Sequence, residues 1–133
     1  KKINRIFISR RDSKKGRHIL NEDELFDMLS KYGFKKYLLE QISIEDQIDL
    51  FSNSEYVIGS HGAGLANIIF AEGVNVLEIF PTQEILPHFY FLAKSLNHNY
   101  EYWCGQATSK NSNFVVNVSE IARMIASQEM CPT

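Results

Sequence analysis

Tyr56-Val57-Ile58 runs straight into Gly59-Ser60-His61-Gly62-Ala63-Gly64 and then into Leu65-Ala66-Asn67-Ile68-Ile69-Phe70. Three aromatic or β-branched residues, a loop punctuated by glycine and an apolar segment read as strand, tight turn and buried helix. A short apolar strand without polar alternation is covered on both faces, as in a parallel sheet.

The same grammar extends in both directions. Upstream, Ile3 to Ser9 reads as a strand and Arg10 to Arg17 as a polar loop. Asn21 is placed to cap a helix, with Glu24 at the third position and Leu25, Met28 and Leu29 on one face. Gly33 stops that helix, Lys36 to Glu40 is a second strand, and Ser43 opens a helix with Ile44, Ile48 and Phe51 inward. Downstream, Gly73 ends the buried helix, and Val74 to Phe80 is a fourth strand closed by Pro81. Pro87 begins a helix to about Asn97, with Phe89, Tyr90 and Phe91 assigned to the core. Tyr100 to Cys104 is a fifth strand, residues 105–113 a loop, and Asn117 caps a last helix from Ser119 to about Gln128. Strand and helix alternate five times. The expected fold is α/β: a Rossmann-like, doubly wound parallel sheet of about five strands, with strand one central and helices on both faces.

The chain has 133 residues, so residues 1–133 are read as one domain. Apolar residues make up 44% and charged residues 23%, which excludes a disordered tail, a collagen-like rod and a disulfide-dense mini-protein. No apolar run approaches the roughly 20 residues of a bilayer span. No signal peptide is expected in this stretch, because the basic opening leads directly into a strand. That opening, which lacks Met, points to a domain of a longer protein. Residues 1–17 carry a net charge of +7 and the remainder −9. A basic corner on an acidic body suits a local anion site, not a nucleic-acid track. Cys104 and Cys131 stand outside any metal spacing, and Cys104 is expected as a buried small hydrophobe.

Ligands of doubly wound sheets bind beyond the carboxyl ends of the strands. Two segments there carry suitable chemistry. In the loop after strand three, Ser60, His61, Gly62, Ala63 and Gly64 offer backbone N–H groups at a helix start, where an anion is favoured. The alternative is a tight turn alone, with His61 either donating to a phosphate or bonding backbone to hold the loop. The spacing is neither the dinucleotide G-x-G-x-x-G nor the P-loop. In the second segment, Arg10 ends strand one and Arg17 precedes the Asn21 helix, so two guanidiniums face one anion. Together the segments would cradle a diphosphate. Arg11, Lys14 and Lys15 are assigned to solvent. Glu40 lies where a ribose hydroxyl is often held, or is a surface acid. Glu78 is either a buried, paired acid facing the ligand or an edge charge. His88 and His98 read as helix and loop residues. Asn117-Val118-Ser119 matches a glycosylation sequon, but capping explains Asn117.

Taken in order, I-F-I-S-R-R-D…R-H-I-L-N-E-D-E-L, E-Q-I-S-I-E-D-Q-I-D-L-F, V-I-G-S-H-G-A-G-L-A-N-I-I-F and V-L-E-I-F-P resemble glycosyltransferase family 61 over roughly residues 3–100. That family has bacterial capsular-polysaccharide-type members, and eukaryotic O-linked N-acetylglucosamine and xylan-decorating ones. The resemblance implies the C-terminal, donor-binding half of an inverting GT-B-type enzyme that needs no metal and no cofactor. Its donor would be a nucleotide-diphosphate sugar of the UDP type, and its acceptor a glycan or other hydroxyl. Arg10 and Arg17 match the diphosphate positions and Ser60 to Gly64 the donor loop. His18 stands where many members have a second basic residue. The catalytic base and the acceptor groove would lie in the N-terminal half. The location implied is cytoplasmic for a bacterial protein and the secretory lumen for a eukaryotic one. The competing reading is an NAD- or nucleotide-binding Rossmann module without transferase activity, opposed by the missing G-x-G-x-x-G after strand one. A regulatory domain that has kept the fold is the third.

Overall fold

The computed structural model describes residues 3–10, 18–82, 85–106 and 113–129. Among them, five strands form one parallel sheet: β1 (Asn4–Ile8), β2 (Lys35–Tyr37), β3 (Ser54–Ser60), β4 (Asn75–Phe80) and β5 (Asn99–Cys104). The order is β2-β1-β3-β4-β5. Strand one is therefore interior but not central, because β3, with its core apolar and buried, takes the middle place.

Helix α1 (Glu22–Lys31) joins β1 to β2, and α2 (Ile44–Ser52) carries the chain back across to β3. Each parallel connection needs a crossover, and reversing direction at β1 puts the crossovers on opposite faces. On one face α1 and α4 (Val118–Glu129) pack Leu25, Leu29, Ile121 and Ile125 against Phe7, Ile58, Leu77 and Ile79. On the other, α2, a 3-10 helix (Ala63–Phe70) and α3 (His88–Ser95) pack Phe51, Leu65, Ile68 and Ala93 against Ile6, Val57 and Val76. Residues alternate between the two cores along each strand, as the two-residue period of a strand requires. Fully burying each large apolar side chain contributes about 1.5–3 kcal/mol.

Local chemistry explains the element ends. The Ser43 hydroxyl accepts from the Asp46 N–H at 3.1 Å, and the Asn117 side-chain oxygen accepts from the Glu120 N–H at 3.1 Å. Both are N-caps. Gly33 (φ 87°) and Asn97 (φ 58°) follow the C-caps of α1 and α3 in the left-handed conformation. Asn21 departs from expectation, making no side-chain cap bond. Its amide instead donates to the Val116 carbonyl (2.8 Å) and accepts from the Val116 N–H (2.9 Å). That pairing ties α1 to the approach of α4, while three acids in the first turn of α1 complement the helix dipole.

Four further expectations are corrected. Strand two ends at Tyr37, because Leu39–Gln41 turns into a 3-10 helix. The helix after the glycine loop is a 3-10 helix and is not buried all round, since Ile69 is exposed. Ile44 is exposed on α2, as are Tyr90 and Phe91 on α3, where only Phe89 of the three aromatics packs against the core. Cys104 is half-buried.

Candidate functional site

The carboxyl ends of β1 and β3 are neighbours, with Ile8 and Gly59 in register. This is the switch point of the sheet, where the crossovers diverge to opposite faces. Arg10 leaves β1 there and Ser60 to Gly64 leave β3. The structure brings them into contact. A Cβ built on Gly62 would lie 2.0 Å from Arg10 Nη1 and 3.2 Å from Cζ, so only glycine admits the guanidinium at that place. The backbone does not demand glycine, since Gly62 (φ 166°) is extended. Gly64 is tight for another reason: its Cβ would meet Leu39 Cδ1 at 3.1 Å and Ile8 Cγ2 at 3.3 Å, both core atoms. Ala63 opens the 3-10 helix. Arg17, like Arg11, Lys14 and Lys15, lies outside the described residues.

His61 is buried and its ring stacks on Phe80, 5.4 Å between centroids, with His88 and Phe89 of α3 alongside. Its Nδ1 lies 2.6 Å from Glu78 Oε2. The Tyr100 hydroxyl donates to the other oxygen, Oε1, at 2.5 Å. Glu78 is completely buried on β4, on the same face as Val76. Of the two readings of Glu78, the buried, paired acid is the one observed. Burial raises its proton affinity above the usual carboxylate range, opposed by the hydrogen bonds from Tyr100 and His61. Burial and the bond to Glu78 push the Tyr100 phenol up as well, so it remains a donor. With Glu78 ionised, the His61 proton facing it sits on Nδ1.

The remaining candidates separate cleanly. Glu40 is exposed on the 3-10 turn Leu39–Gln41, past the end of β2. His98 is structural: its Nδ1 accepts from the Val74 N–H (3.1 Å) and its Nε2 donates to the Ile68 carbonyl (2.9 Å), which leaves it neutral in the core. His88 is exposed at the start of α3. Among the described residues, no three His, Cys, Asp or Glu side chains converge as a metal site, and no helix is long and apolar enough to cross a membrane.

Sequence reading missed three features. Glu22 is buried beneath β1, accepting from the Ser9 hydroxyl at 2.9 Å and pairing with Lys36 Nζ at 3.2 Å. An acid in the first turn of a helix looks like dipole chemistry, which hid it. Tyr100 as partner of Glu78 depends on the β4–β5 register, which no short-range pattern reveals. The third is a cavity of about 580 Å³ beyond the end of β5, lined among others by Trp103, Gly105, Asn113, Asn117 and Glu120. Trp103 Nε1 donates to Glu120 Oε1 at 3.1 Å, and the indole covers Gly105.

Comparison with known proteins places the sequence in a family. The sequence profile described as Glycosyltransferase 61 covers residues 1–77, from β1 into β4, including Arg10 and the whole glycine loop. A β-1,2-xylosyltransferase of Arabidopsis thaliana is 32% identical over 90 residues, which cover 57% of this chain and 17% of that protein. An EGF domain-specific O-linked N-acetylglucosamine transferase of Drosophila melanogaster is 38% identical over 72 residues, 52% of this chain and 14% of that protein. The chain thus spans about a sixth of the length of these relatives. With its α/β sheet and with the profile covering more than half of its length, this chain belongs to the glycosyltransferase 61 family.

Proposed function

We propose that this domain holds the nucleoside diphosphate of a UDP-type sugar donor while the sugar passes to the hydroxyl of a glycan or other acceptor. The observation that carries the reading is the Arg10 guanidinium laid against Gly62 at the β1–β3 switch point. A planar cation beside a glycine turn and a run of backbone N–H groups suits a diphosphate, which takes paired hydrogen bonds from arginine.

The chemistry proposed is inverting displacement at the anomeric carbon. The acceptor oxygen bonds to that carbon, the bond to the diphosphate breaks, and the electron pair leaves with the nucleoside diphosphate. Negative charge develops on the bridging oxygen, and Arg10, with Arg17 from the adjoining segment, stabilises it. Preorganised donors aimed at developing charge are the largest catalytic contribution in most enzymes. The cavity at β5 lies two strands from β3, about 10 Å at the usual strand spacing. The acceptor groove and the catalytic base fall to an N-terminal half of the same GT-B-type enzyme. The plant and insect relatives favour the secretory lumen over the bacterial cytoplasm as its location.

Calorimetric titration of the chain with UDP and with NAD tests the reading. UDP is expected to bind, and more tightly than NAD. NAD binding with no UDP binding would replace the proposal with a dinucleotide module.

A further inference from the structure

His61 Nδ1, both oxygens of Glu78 and the Tyr100 hydroxyl form one continuous buried chain, ending one residue before the Gly62–Arg10 contact. We propose that Glu78 and Tyr100 are positioning residues for His61, clamping its ring so that Nε2 carries a proton toward an oxyanion held at the glycine loop. This rests on the reading of that loop as a diphosphate site.

The loop does not need the imidazole to hold its backbone. The His61 N–H already donates to the Ile79 carbonyl at 3.0 Å, and the ring's partner is a carboxylate. Among the described residues, no hydrogen bond engages Nε2. The ring is pinned on three sides, by Phe80 stacked at an interplanar angle of 22°, by Phe89, and by Glu78. A ring so restrained has only its remaining nitrogen to offer.

Charge sets what that nitrogen does. Among the described residues, the titratable and charged groups around His61 are Glu78 from β4, His88 from α3 and Arg10 across Gly62 from β1. Tyr100 from β5 stands behind Glu78, with Tyr90 of α3 behind it in turn. Glu78 is the acid among them. A buried carboxylate is tolerated when it is hydrogen-bonded, and His61 Nδ1 stands 2.6 Å from it. The Tyr100 hydroxyl completes the hydrogen bonding of the acid. An anion at the loop then receives a charge-assisted hydrogen bond from Nε2–H, next to that from Arg10. A carboxylate behind a histidine is the usual means of fixing which nitrogen is protonated.

Two measurements on the chain decide it. The first needs no nucleotide: long-range ¹H–¹⁵N spectra of the imidazoles across pH 5.5 to 9. His61 is expected to keep its Nδ1 proton throughout, and a neutral ring protonated on Nε2 overturns the clamp. The second is UDP affinity over the same pH range for the wild type, Glu78→Gln and Tyr100→Phe, with thermal unfolding as control. Glu78→Gln, which keeps the shape, should lose roughly tenfold in affinity and release the His61 ring from its Nδ1-protonated form. Tyr100→Phe should lose roughly threefold. Losses that track thermal unfolding while the ring spectrum stays as in the wild type would reduce Glu78 to a structural group and overturn the proposal, as would unchanged affinities. A wild type that binds no UDP refutes the diphosphate reading of the loop, and the ring spectra then still decide whether the clamp exists.

Discussion

Gly62→Ala isolates the contact on which the diphosphate site depends. The residue is extended, so alanine brings no backbone strain. What it brings is a methyl group 2.0 Å from Arg10 Nη1, well inside van der Waals contact, so the guanidinium must leave. The displaced group is the far end of a flexible side chain, and the fold should survive with its unfolding midpoint nearly unchanged. A charge-assisted hydrogen bond contributes about 1.5–3 kcal/mol, so losing the guanidinium's contact with a phosphate should weaken UDP binding roughly tenfold to a hundredfold. Calorimetry on Gly62→Ala, Arg10→Ala and the double variant measures this as a cycle. If Gly62→Ala acts through Arg10, the double variant binds UDP as Arg10→Ala does. Full additivity of the two losses, or unchanged affinity with Arg10 displaced, would show that the contact does not hold the phosphate.

Gly64→Ala makes the complementary case, because its methyl meets core atoms of Leu39 and Ile8 that cannot swing into solvent; urea unfolding should show a loss of about 1–3 kcal/mol. Asn21→Ala removes both bonds to the backbone of Val116, and the same assay should show a cost of about 1–3 kcal/mol. Arg17→Ala should weaken UDP binding about as much as Arg10→Ala while Lys14→Ala changes it little; equal losses that fade together with salt would leave only a basic patch. Glu78 binds its proton more tightly folded than unfolded, so its contribution to stability falls as pH rises from its ordinary value through the raised one. The stability of Glu78→Gln relative to the wild type should accordingly be higher at pH 8 than at pH 4, measured by thermal unfolding at both.

The alternation of apolar strands with amphipathic helices was legible because both periods are local, and it led to the parallel sheet with helices on two faces. Strand ends were less so. Serine and glutamate at one end of β3, and glycine and serine at the other, disguise a seven-residue strand as a three-residue one, and Glu55 sits where the β1–β3 register shifts. Tyr90 and Phe91 look like core residues by type, but α3 turns Phe89, Leu92 and Ala93 toward the core. The pairing of Arg10 with the glycine loop was legible because the switch point of a doubly wound sheet places the ends of β1 and β3 together. The clamp on His61 was not, since it joins β3, β4 and β5 through side chains whose meeting depends on register. Asn21 shows the same limit at smaller scale. Its residue type suits a cap, yet a backbone segment 95 residues away takes its amide.

The most direct test of the diphosphate site is a crystal structure of the chain soaked with UDP. The two phosphates are expected at the carboxyl ends of β1 and β3, within hydrogen-bond distance of the Arg10 guanidinium, with His61 Nε2 and the backbone N–H groups of residues 62–64 completing the shell. Phosphates bound away from Arg10, or density for the nucleotide at the opposite, amino-terminal edge of the sheet, would contradict it.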